Sequence, residues 1–264
     1  MSRPRVRADA LLVRRGLAAS PAEAQALIMS GKVVSGDHRV DKPGDLLAAD
    51  APLTVPARAR FVSRGGDKLD HAVEAFLPLG LVIEGRVCLD VGASTGGFTD
   101  CLLQRGAARV LAVDVGYGQL AEKLRRDPRV EAHERVNARD LQVEQLSARP
   151  TLAVVDASFI GIGKLVSALA RLLPEGGELV ALVKPQFEAG REAVSRGRGV
   201  IHDEATRMDA VAGARSAVEE AGFVVLGEVD SAVPGPKGNV ERFLYARRDA
   251  RPPPRDPRAG EARA

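Results

Sequence analysis

Hydrophobic and polar positions follow two patterns between residues 60 and 246. Short apolar runs recur, and segments with apolar residues every three or four positions separate most of them. Short apolar runs are typical of buried strands, and the wider spacing is typical of amphipathic helices. The predicted strands are 87–91, 110–114, 130–134, 152–156, 179–184, 224–229 and 242–246. The predicted helices are 69–76, 98–105, 120–126, 162–173 and 204–221.

The alternation of strand and helix predicts an α/β fold. Right-handed crossovers between successive strands give a mostly parallel sheet of seven strands, with helices on both faces. The last two strands follow each other without a helix between them. We therefore expect one of these two strands to run antiparallel to its neighbours.

The first 59 residues predict a small α+β unit. One helix is expected over 8–15. A capping box with the sequence Ser-Pro-Ala-Glu at 20–23 begins a second helix over 22–30. The residues Ser-Gly-Asp at 35–37 predict a hairpin turn. A further short strand is expected over 53–55. A unit of this size buries little core by itself.

Two changes in composition divide the chain. A proline-containing stretch closes the first unit, and a tail rich in Pro, Arg and Gly follows the last predicted strand. Segments of the second kind lack an apolar face and are typically disordered. We expect a small domain at 1–59, a large domain at 60–246 and a disordered basic tail at 247–264.

The composition is that of a globular protein, with 45% hydrophobic and 28% charged residues. No apolar run reaches the roughly 18–20 residues that a membrane span needs, and the first residues do not resemble a secretory signal. Cys88 and Cys101 are too few for a disulfide framework, so both are expected to be reduced core residues. We expect a cytoplasmic monomer with no membrane partner and no metal site.

Positive charge is concentrated at the two ends of the chain. Residues 1–59 hold 9 Lys and Arg against 6 Asp and Glu, and 246–264 hold 6 against 3. The central residues 60–245 hold 23 Lys and Arg against 26 Asp and Glu. The net charge of the whole chain is +3. Basic ends on a nearly neutral body favour a polyanionic partner, although ordinary solubility charge would give the same count.

A glycine-rich turn, Asp90-Val-Gly-Ala-Ser-Thr-Gly-Gly-Phe98, follows the first strand of the large domain, and Asp114 ends the next strand. Such a turn lets a ligand approach the backbone, and the second carboxylate suits a ribose diol. The glycine spacing departs from the dinucleotide pattern, and Asp90 would repel a pyrophosphate. S-adenosylmethionine, a cation without phosphate, fits better than a dinucleotide. A purely structural turn is the third possibility.

The residues at the end of the fourth strand indicate which kind of atom would accept a methyl group. Asp156 is not followed by the Pro-Pro pair that is typical of amino-methylating enzymes. Carbon-5 methylation of cytosine needs a cysteine nucleophile, and neither cysteine lies at this strand end. The acceptor of a methyl group is therefore expected to be an oxygen.

Three further charged residues lie near strand ends. Lys184 ends the fifth strand, Lys68 precedes the first helix of the large domain, and Glu241 begins the last strand. Each alone could be a cap or a surface charge. Together with Asp156 they could meet at the carboxyl edge of the sheet, where ligands bind. Two lysines close together lower each other's pKa, which favours the neutral amine form of one of them. A neutral lysine could take a proton from a hydroxyl.

The segments SRGGDKL, CLDVGASTGGFTD, LVKPQFE and GNVERFL resemble the TlyA family, bacterial enzymes that 2′-O-methylate cytidine in ribosomal RNA. Residues 60–245 resemble the FtsJ-type methyltransferases, which have a Rossmann-like class I fold. The resemblance implies a catalytic tetrad of Lys68, Asp156, Lys184 and Glu241. It also implies that S-adenosylmethionine binds, besides Asp90, the residues Gly92, Ser94, Gly96, Gly97, Phe98, Asp114, Asn137 and Asp140.

Residues 1–59 resemble the alpha-L fold, an RNA-binding domain first described in a ribosomal small-subunit protein. That fold usually begins its second helix with Ser-Arg, and the arginine contacts RNA. Here Pro21 follows Ser20, so that contact is missing. Other basic residues, in this domain and in loops beside the active site, could compensate. The RNA-binding candidates are Arg3, Arg5, Arg7, Arg14, Arg15, Lys32, Arg191, Arg196, Arg198 and Lys237.

The sequence therefore predicts an S-adenosylmethionine-dependent 2′-O-methyltransferase that acts on ribosomal RNA or ribosomal subunits. Lys184 is the candidate base, and Asp156 would orient it. A non-catalytic RNA-binding or assembly protein, a dinucleotide oxidoreductase and a haemolysin, the label often given to the family, are the alternatives. No signal, span or membrane-seeking segment in the sequence supports the last of these.

Overall fold

The computed structural model describes residues 4–55, 59–189, 199–235 and 237–249. The chain divides into two compact units, Met1–Ala59 and Arg60–Ala264. Four RNA-binding candidates and most of the predicted tail lie outside the described residues: Arg3, Arg191, Arg196, Arg198 and 250–264. Within the described part, no helix is long and apolar enough to cross a membrane.

The first unit contains two helices and four short strands. They are α1 (Ala8–Arg14), α2 (Pro21–Met29), β1 (Arg5–Arg7), β2 (Val34–Ser35), β3 (His38–Arg39) and β4 (Leu46–Ala48). β1 pairs antiparallel with β4, and β2 pairs antiparallel with β3. The predicted cap of α2 forms, because the Ser20 hydroxyl oxygen accepts a hydrogen bond of 3.2 Å from the backbone N–H of Glu23.

In the first unit the sequence analysis missed two strands and predicted one that does not form. Strands β1 and β4 were missed because three residues are too few to show an alternating pattern. The segment 53–55, expected to be a strand, forms only one bridge, between Thr54 and Val34. A compact core nevertheless joins the two helices to the small strands. It includes Ala8, Leu12, Ala24, Ile28, Val33 and Val40.

The second unit is built on a sheet of seven strands. They are β5 (Val87–Val91), β6 (Arg109–Asp114), β7 (Val130–Glu134), β8 (Leu152–Val155), β9 (Glu178–Val183), β10 (Phe223–Asp230) and β11 (Arg242–Arg248). Their order is β10-β11-β9-β8-β5-β6-β7. All neighbours are parallel except at β11, which is antiparallel to both β9 and β10. The predicted α/β fold with one antiparallel strand is confirmed.

Helices cover both faces of this sheet. They are α3 (Arg64–Phe76), α4 (Gly97–Gln104), α5 (Glu122–Arg125), α6 (Val166–Leu172), α7 (Pro185–Glu188) and α8 (Glu204–Glu220). Alternate residues of β5 enter different cores: Leu89 packs with α6 and α8, and Cys88 packs with α3 and α4. Both cysteines are buried and free, as expected. Burial raises the pKa of each thiol to about 12, so neither is a nucleophile at neutral pH.

One helix boundary changes the position of a predicted site residue. Helix α3 begins at Arg64, five residues before the predicted start at 69, so Lys68 lies inside the helix and not before it. The start was missed because Gly65 and Gly66 are poor helix formers. Packing requires Gly66, because a Cβ atom there would lie 2.2 Å from Cγ of Phe61. The early start buries Lys68 beneath the site.

Candidate active site

Two buried ion pairs lie at the carboxyl edge of the parallel strands. Lys68, on α3, places its Nζ atom 2.6 Å from Oε2 of Glu241, just before β11. Lys184, directly after β9, places its Nζ atom 2.6 Å from Oδ1 of Asp156, directly after β8. Both lysines and Glu241 are buried. The chain thus brings together four charged residues that are separated by up to 173 positions in sequence.

All four residues line one cavity of about 530 Å³, which we call the tetrad cavity. Each lysine is paired with one carboxylate of the four. Lys184 Nζ also donates a hydrogen bond of 3.1 Å to the Ser158 hydroxyl. One carboxylate oxygen, Oε1 of Glu241, is buried and has no hydrogen-bond partner among the described residues. Glu241 therefore brings an unpaired acceptor atom to the wall of the tetrad cavity without exposing it.

A second cavity of about 530 Å³, the glycine-turn cavity, lies beside the first. Of the predicted cofactor residues, Gly92, Ser94, Asp114 and Asn137 line it. Its remaining wall is largely apolar and includes Val115, Val136, Ile160 and Leu165. Two carboxylates, Asp114 and Asp156, line it, and no lysine or arginine among the described residues does. This charge disfavours a pyrophosphate and suits a cationic ligand, so the residues fit S-adenosylmethionine.

Backbone hydrogen bonds hold Asp114 in place. Its Oδ2 atom accepts from the backbone N–H of Ser94 at 2.8 Å, and Oδ1 accepts from Gly116 at 2.7 Å. Gly92 has φ +84°, and a Cβ atom there would lie 2.8 Å from the carbonyl oxygen of Asp156. Only glycine therefore allows β5 and β8 to end side by side at this point.

The other predicted cofactor residues occupy different positions. Gly97 and Phe98 line a third cavity of about 420 Å³ that also includes Lys68. Gly96 caps α4, and Asp140 is exposed; neither lines any of these three cavities.

Asp90 lies beneath the glycine turn and also lines none of the three cavities. It is fully buried, and its Oδ2 atom accepts a hydrogen bond of 2.6 Å from the Thr99 hydroxyl. Burial, and then the negative charges of Asp156 and Asp114, raise its pKa to about 7. In this position Asp90 supports the turn from below, whereas the sequence suggested direct contact with a ligand.

An exposed aromatic pair at the cavity mouth was missed by the sequence reasoning. Phe159 is 90% exposed and has φ +66°, which is rare for a bulky side chain. Its ring centroid lies 5.3 Å from that of Phe187. Phe159 lines both the tetrad and glycine-turn cavities. The available signal was an aromatic residue just after a strand end in the segments SFI and LVKPQFE.

Asn239 joins two loops at the wall of the tetrad cavity and was also missed. Its side chain accepts a hydrogen bond of 2.9 Å from the backbone N–H of Ile201 and donates one of 2.9 Å to the carbonyl oxygen of Gly199. Asn239 and Gly199 both line the cavity. A single asparagine gives no sequence pattern, so only the structure shows this role.

The RNA-binding candidates divide into engaged and exposed side chains. Arg7 forms two hydrogen bonds to Asp9, and Arg15 donates to the carbonyl oxygens of Ala49 and Ala51. These two arginines support the fold of the first unit. Both are nevertheless exposed. The exposed candidates without a side-chain hydrogen bond or ion pair among the described residues are Arg5, Arg14, Lys32 and, at the tetrad cavity, Lys237.

Comparison with known proteins adds two family matches and several similar proteins. Residues 61–248 match the FtsJ-like methyltransferase family, and residues 6–51 match the S4 domain. The chain is 47% identical over 245 residues to a Mycobacterium tuberculosis protein named 16S/23S rRNA (cytidine-2′-O)-methyltransferase TlyA, covering 92% of this chain and 90% of that one. It is 42% identical to the putative rRNA methyltransferase YqxC of Bacillus subtilis, covering 93% and 86%.

A solved structure is similar over nearly the full length. It is a putative hemolysin from Streptococcus thermophilus, with a TM-score of 0.71 and 38% identity. The match covers 95% of this chain and 91% of that one. The two-unit organisation is therefore shared with a protein that carries a different functional label.

Proposed function

The chain belongs to the TlyA family of FtsJ-like methyltransferases, and from this premise we propose that it methylates the 2′-hydroxyl of a cytidine in ribosomal RNA. One observation carries the proposal: the tetrad and glycine-turn cavities share five lining residues, Gly92, Ser94, Asp156, Ser158 and Phe159. A methyl donor in one cavity is therefore adjacent to an acceptor in the other. Methyl transfer is an in-line displacement, so it needs this adjacency.

The glycine-turn cavity is the proposed site for S-adenosylmethionine. Asp114, fixed by two backbone hydrogen bonds, would accept from the ribose hydroxyls, and Val136 and Ile160 offer apolar surfaces for the adenine. When bound, the cofactor supplies an electrophilic methyl carbon whose bond to sulfur breaks as the acceptor oxygen attacks. The carboxylates in the wall favour the positive charge of the methyl donor over the neutral product.

The tetrad cavity is the proposed site of the target ribose. Lys184 would contact the 2′-oxygen and relay the hydroxyl proton to Asp156: one ammonium proton passes to the carboxylate as the amine takes the proton of the 2′-hydroxyl. Asp156 and Ser158 fix the orientation of the Lys184 side chain. Glu241, fully buried, holds Lys68 in place through their ion pair. Four charged groups held in two ion pairs would thus orient the hydroxyl before the reaction begins.

The S4 domain supplies the affinity for RNA in this proposal. Exposed Arg5, Arg14 and Lys32 would contact phosphates, which position a nucleic acid without reading its sequence. We place the reaction on ribosomal RNA or ribosomal subunits in the cytoplasm, with the enzyme acting as a monomer. We propose a first domain at 1–59 and a second at 60–248. The predicted boundary at 246 is moved because Arg247 and Arg248, assigned to the tail from the sequence, belong to β11.

The decisive experiment maps ribose methylation in ribosomal RNA from cells with and without the gene. We expect at least one 2′-O-methylcytidine to disappear in the deletion strain and to return with the wild-type gene but not with Lys184→Ala. An unchanged methylation map would contradict the proposal. Calorimetry with S-adenosylmethionine separates the enzyme from an assembly factor, because an assembly factor need not bind the cofactor.

A further inference from the structure

An exposed aromatic and cationic pair lies beside the glycine-turn cavity. The guanidinium carbon of Arg135, just after β7, lies 4.2 Å from the ring centroid of Tyr117, in the loop after β6. Tyr117 is 67% exposed and the nearby Val115 is 72% exposed. Arg135 therefore covers only part of the ring. Large side chains with this much exposure at the ligand-binding edge of a sheet are candidates for recognition.

The backbone holds this pair in a strained arrangement. Arg135 has φ +59°, in the left-handed region that a long side chain rarely adopts. Its backbone N–H donates a 3.0 Å hydrogen bond to the carbonyl oxygen of Gly116. Glu134 accepts from the backbone N–H of Gly118 at 2.8 Å and is itself held by Arg125 at 2.6 Å. Strain that is maintained at an exposed position is typical of functional sites.

The pair is distinct from the lining of the cofactor site. Val115, Gly116 and Gln119 line the glycine-turn cavity, whereas Tyr117 and Arg135 do not. The loop after β6 thus contains both residues of the cofactor site and an exposed aromatic ring that contacts a guanidinium. Arginine and tyrosine are also the residue types that dominate binding energy at interfaces.

We propose that Tyr117 and Arg135 form a contact for a single-stranded segment of the RNA substrate, separate from the tetrad cavity. An unstacked nucleobase stacks on the free part of the Tyr117 ring, and the guanidinium of Arg135 pairs with a backbone phosphate. Aromatic rings and arginine planes bind unpaired bases in this way, and the guanidinium fork matches a phosphate. This inference rests on the proposed function, because it assumes an RNA substrate.

The test measures methyl transfer from labelled S-adenosylmethionine to ribosomal subunits from cells that lack this protein. Tyr117→Ala and Arg135→Gly are each expected to raise the KM for subunits by roughly 5- to 30-fold, the effect of losing one stacked base. The KM for S-adenosylmethionine should stay within about twofold of the wild-type value. Arg135→Gly also relieves the left-handed backbone, so its melting temperature should not fall. Tyr117→Phe keeps the ring and should behave as wild type.

Arg126→Ala is the matched control, because Arg126 is an exposed arginine in a surface ion pair with Glu122. It should leave the KM for subunits unchanged. Unchanged values for Tyr117→Ala and Arg135→Gly, or a parallel rise in the KM for S-adenosylmethionine, would overturn the inference. An effect on subunits that vanishes on deproteinised RNA would point to a protein partner and also overturn it. A wild-type enzyme that methylates neither form would overturn the proposed function itself.

Discussion

At the scale of single residues, Lys184 bears most directly on methyl transfer. Lys184→Ala removes the group assigned to the 2′-oxygen, and we expect kcat to fall by about 10²- to 10⁴-fold, the usual effect of losing a general base. S-adenosylmethionine should still bind, because Lys184 does not line the glycine-turn cavity. A methyl-transfer assay measures the fall in kcat, and calorimetry measures the retained binding of S-adenosylmethionine. Exposed Lys164, changed to Ala, is the control for charge alone. Full activity of Lys184→Ala would refute the assignment.

The buried pair of Lys68 and Glu241 makes a prediction about stability. Lys68→Met leaves a buried carboxylate without a partner, which should cost about 3–5 kcal/mol in the free energy of unfolding. The double variant Lys68→Met/Glu241→Gln should lose much less than the sum of its single changes. Urea denaturation of the four proteins measures this coupling. Glu122→Gln, in a surface pair, should change stability by under about 1 kcal/mol. Additive losses would show that the buried pair is not coupled.

Asp90 makes a prediction about pH. Its pKa is raised from 3.8 to about 7, chiefly by burial, so the folded state binds its proton more tightly than the unfolded state. Its contribution to stability is therefore complete below about pH 4 and declines as the pH rises towards 7. Asp90→Asn cannot lose a proton, so its stability relative to wild type should increase between pH 4 and 8. Denaturation of both proteins across this range is the test. A constant difference would contradict the raised pKa.

At the scale of elements, α3 and α4 approach each other through glycine. A Cβ atom on Gly97 would lie 2.3 Å from the Ser63 hydroxyl and 2.8 Å from the backbone nitrogen of Gly66. Gly97→Ala should therefore destabilise the protein by about 1–3 kcal/mol through overpacking. Gly213, within α8, has no atom within 4 Å of such a Cβ, so Gly213→Ala should stabilise by about 0.5–1 kcal/mol. Thermal unfolding measures the stability of both variants. Equal changes in stability for Gly97→Ala and Gly213→Ala would argue against the close approach of α3 and α4.

The strands and helices show which parts of the fold can be predicted from the sequence. Strands β5, β6 and β9 were predictable because buried strands read as apolar runs bounded by polar residues. Strands β1 and β4 were not, because they are short and half exposed. The glycines at the start of α3 concealed its first turn, since the packing of Gly66 against Phe61 depends on tertiary structure. Local sequence therefore indicates elements well where burial is continuous and poorly where packing overrides propensity.

The candidate site follows the same rule. Position at the ends of predicted strands and helices was enough to suggest that Lys68, Asp156, Lys184 and Glu241 could meet, because carboxyl ends of parallel strands share one edge. The sequence did not show which lysine pairs with which carboxylate, and it suggested contact with the cofactor for Asp90. The pairing and the position of Asp90 both depend on how deeply each side chain lies below the edge of the sheet. The sequence pattern does not show this depth.

At the scale of the whole molecule, part of the basic charge belongs to a different unit from the catalytic chemistry. The first unit contains the exposed cations Arg5, Arg14 and Lys32. Within the described part of the chain, the residues that line the tetrad and glycine-turn cavities all belong to the second unit, and residues 60–245 are nearly neutral. Affinity for RNA and cofactor binding should therefore be separable by mutation.

That separation gives a prediction about salt. The triple change Arg5→Ala/Arg14→Ala/Lys32→Ala should weaken binding to ribosomal RNA and reduce the slope of log K against log salt by roughly 2 to 3, because each lost phosphate contact removes about 0.7–0.9. Calorimetric affinity for S-adenosylmethionine should not change. Arg39→Ala is the control, because Arg39 is already paired with Asp41 at 2.7 Å. An unchanged salt slope in the triple variant would show that these cations do not contact RNA phosphates.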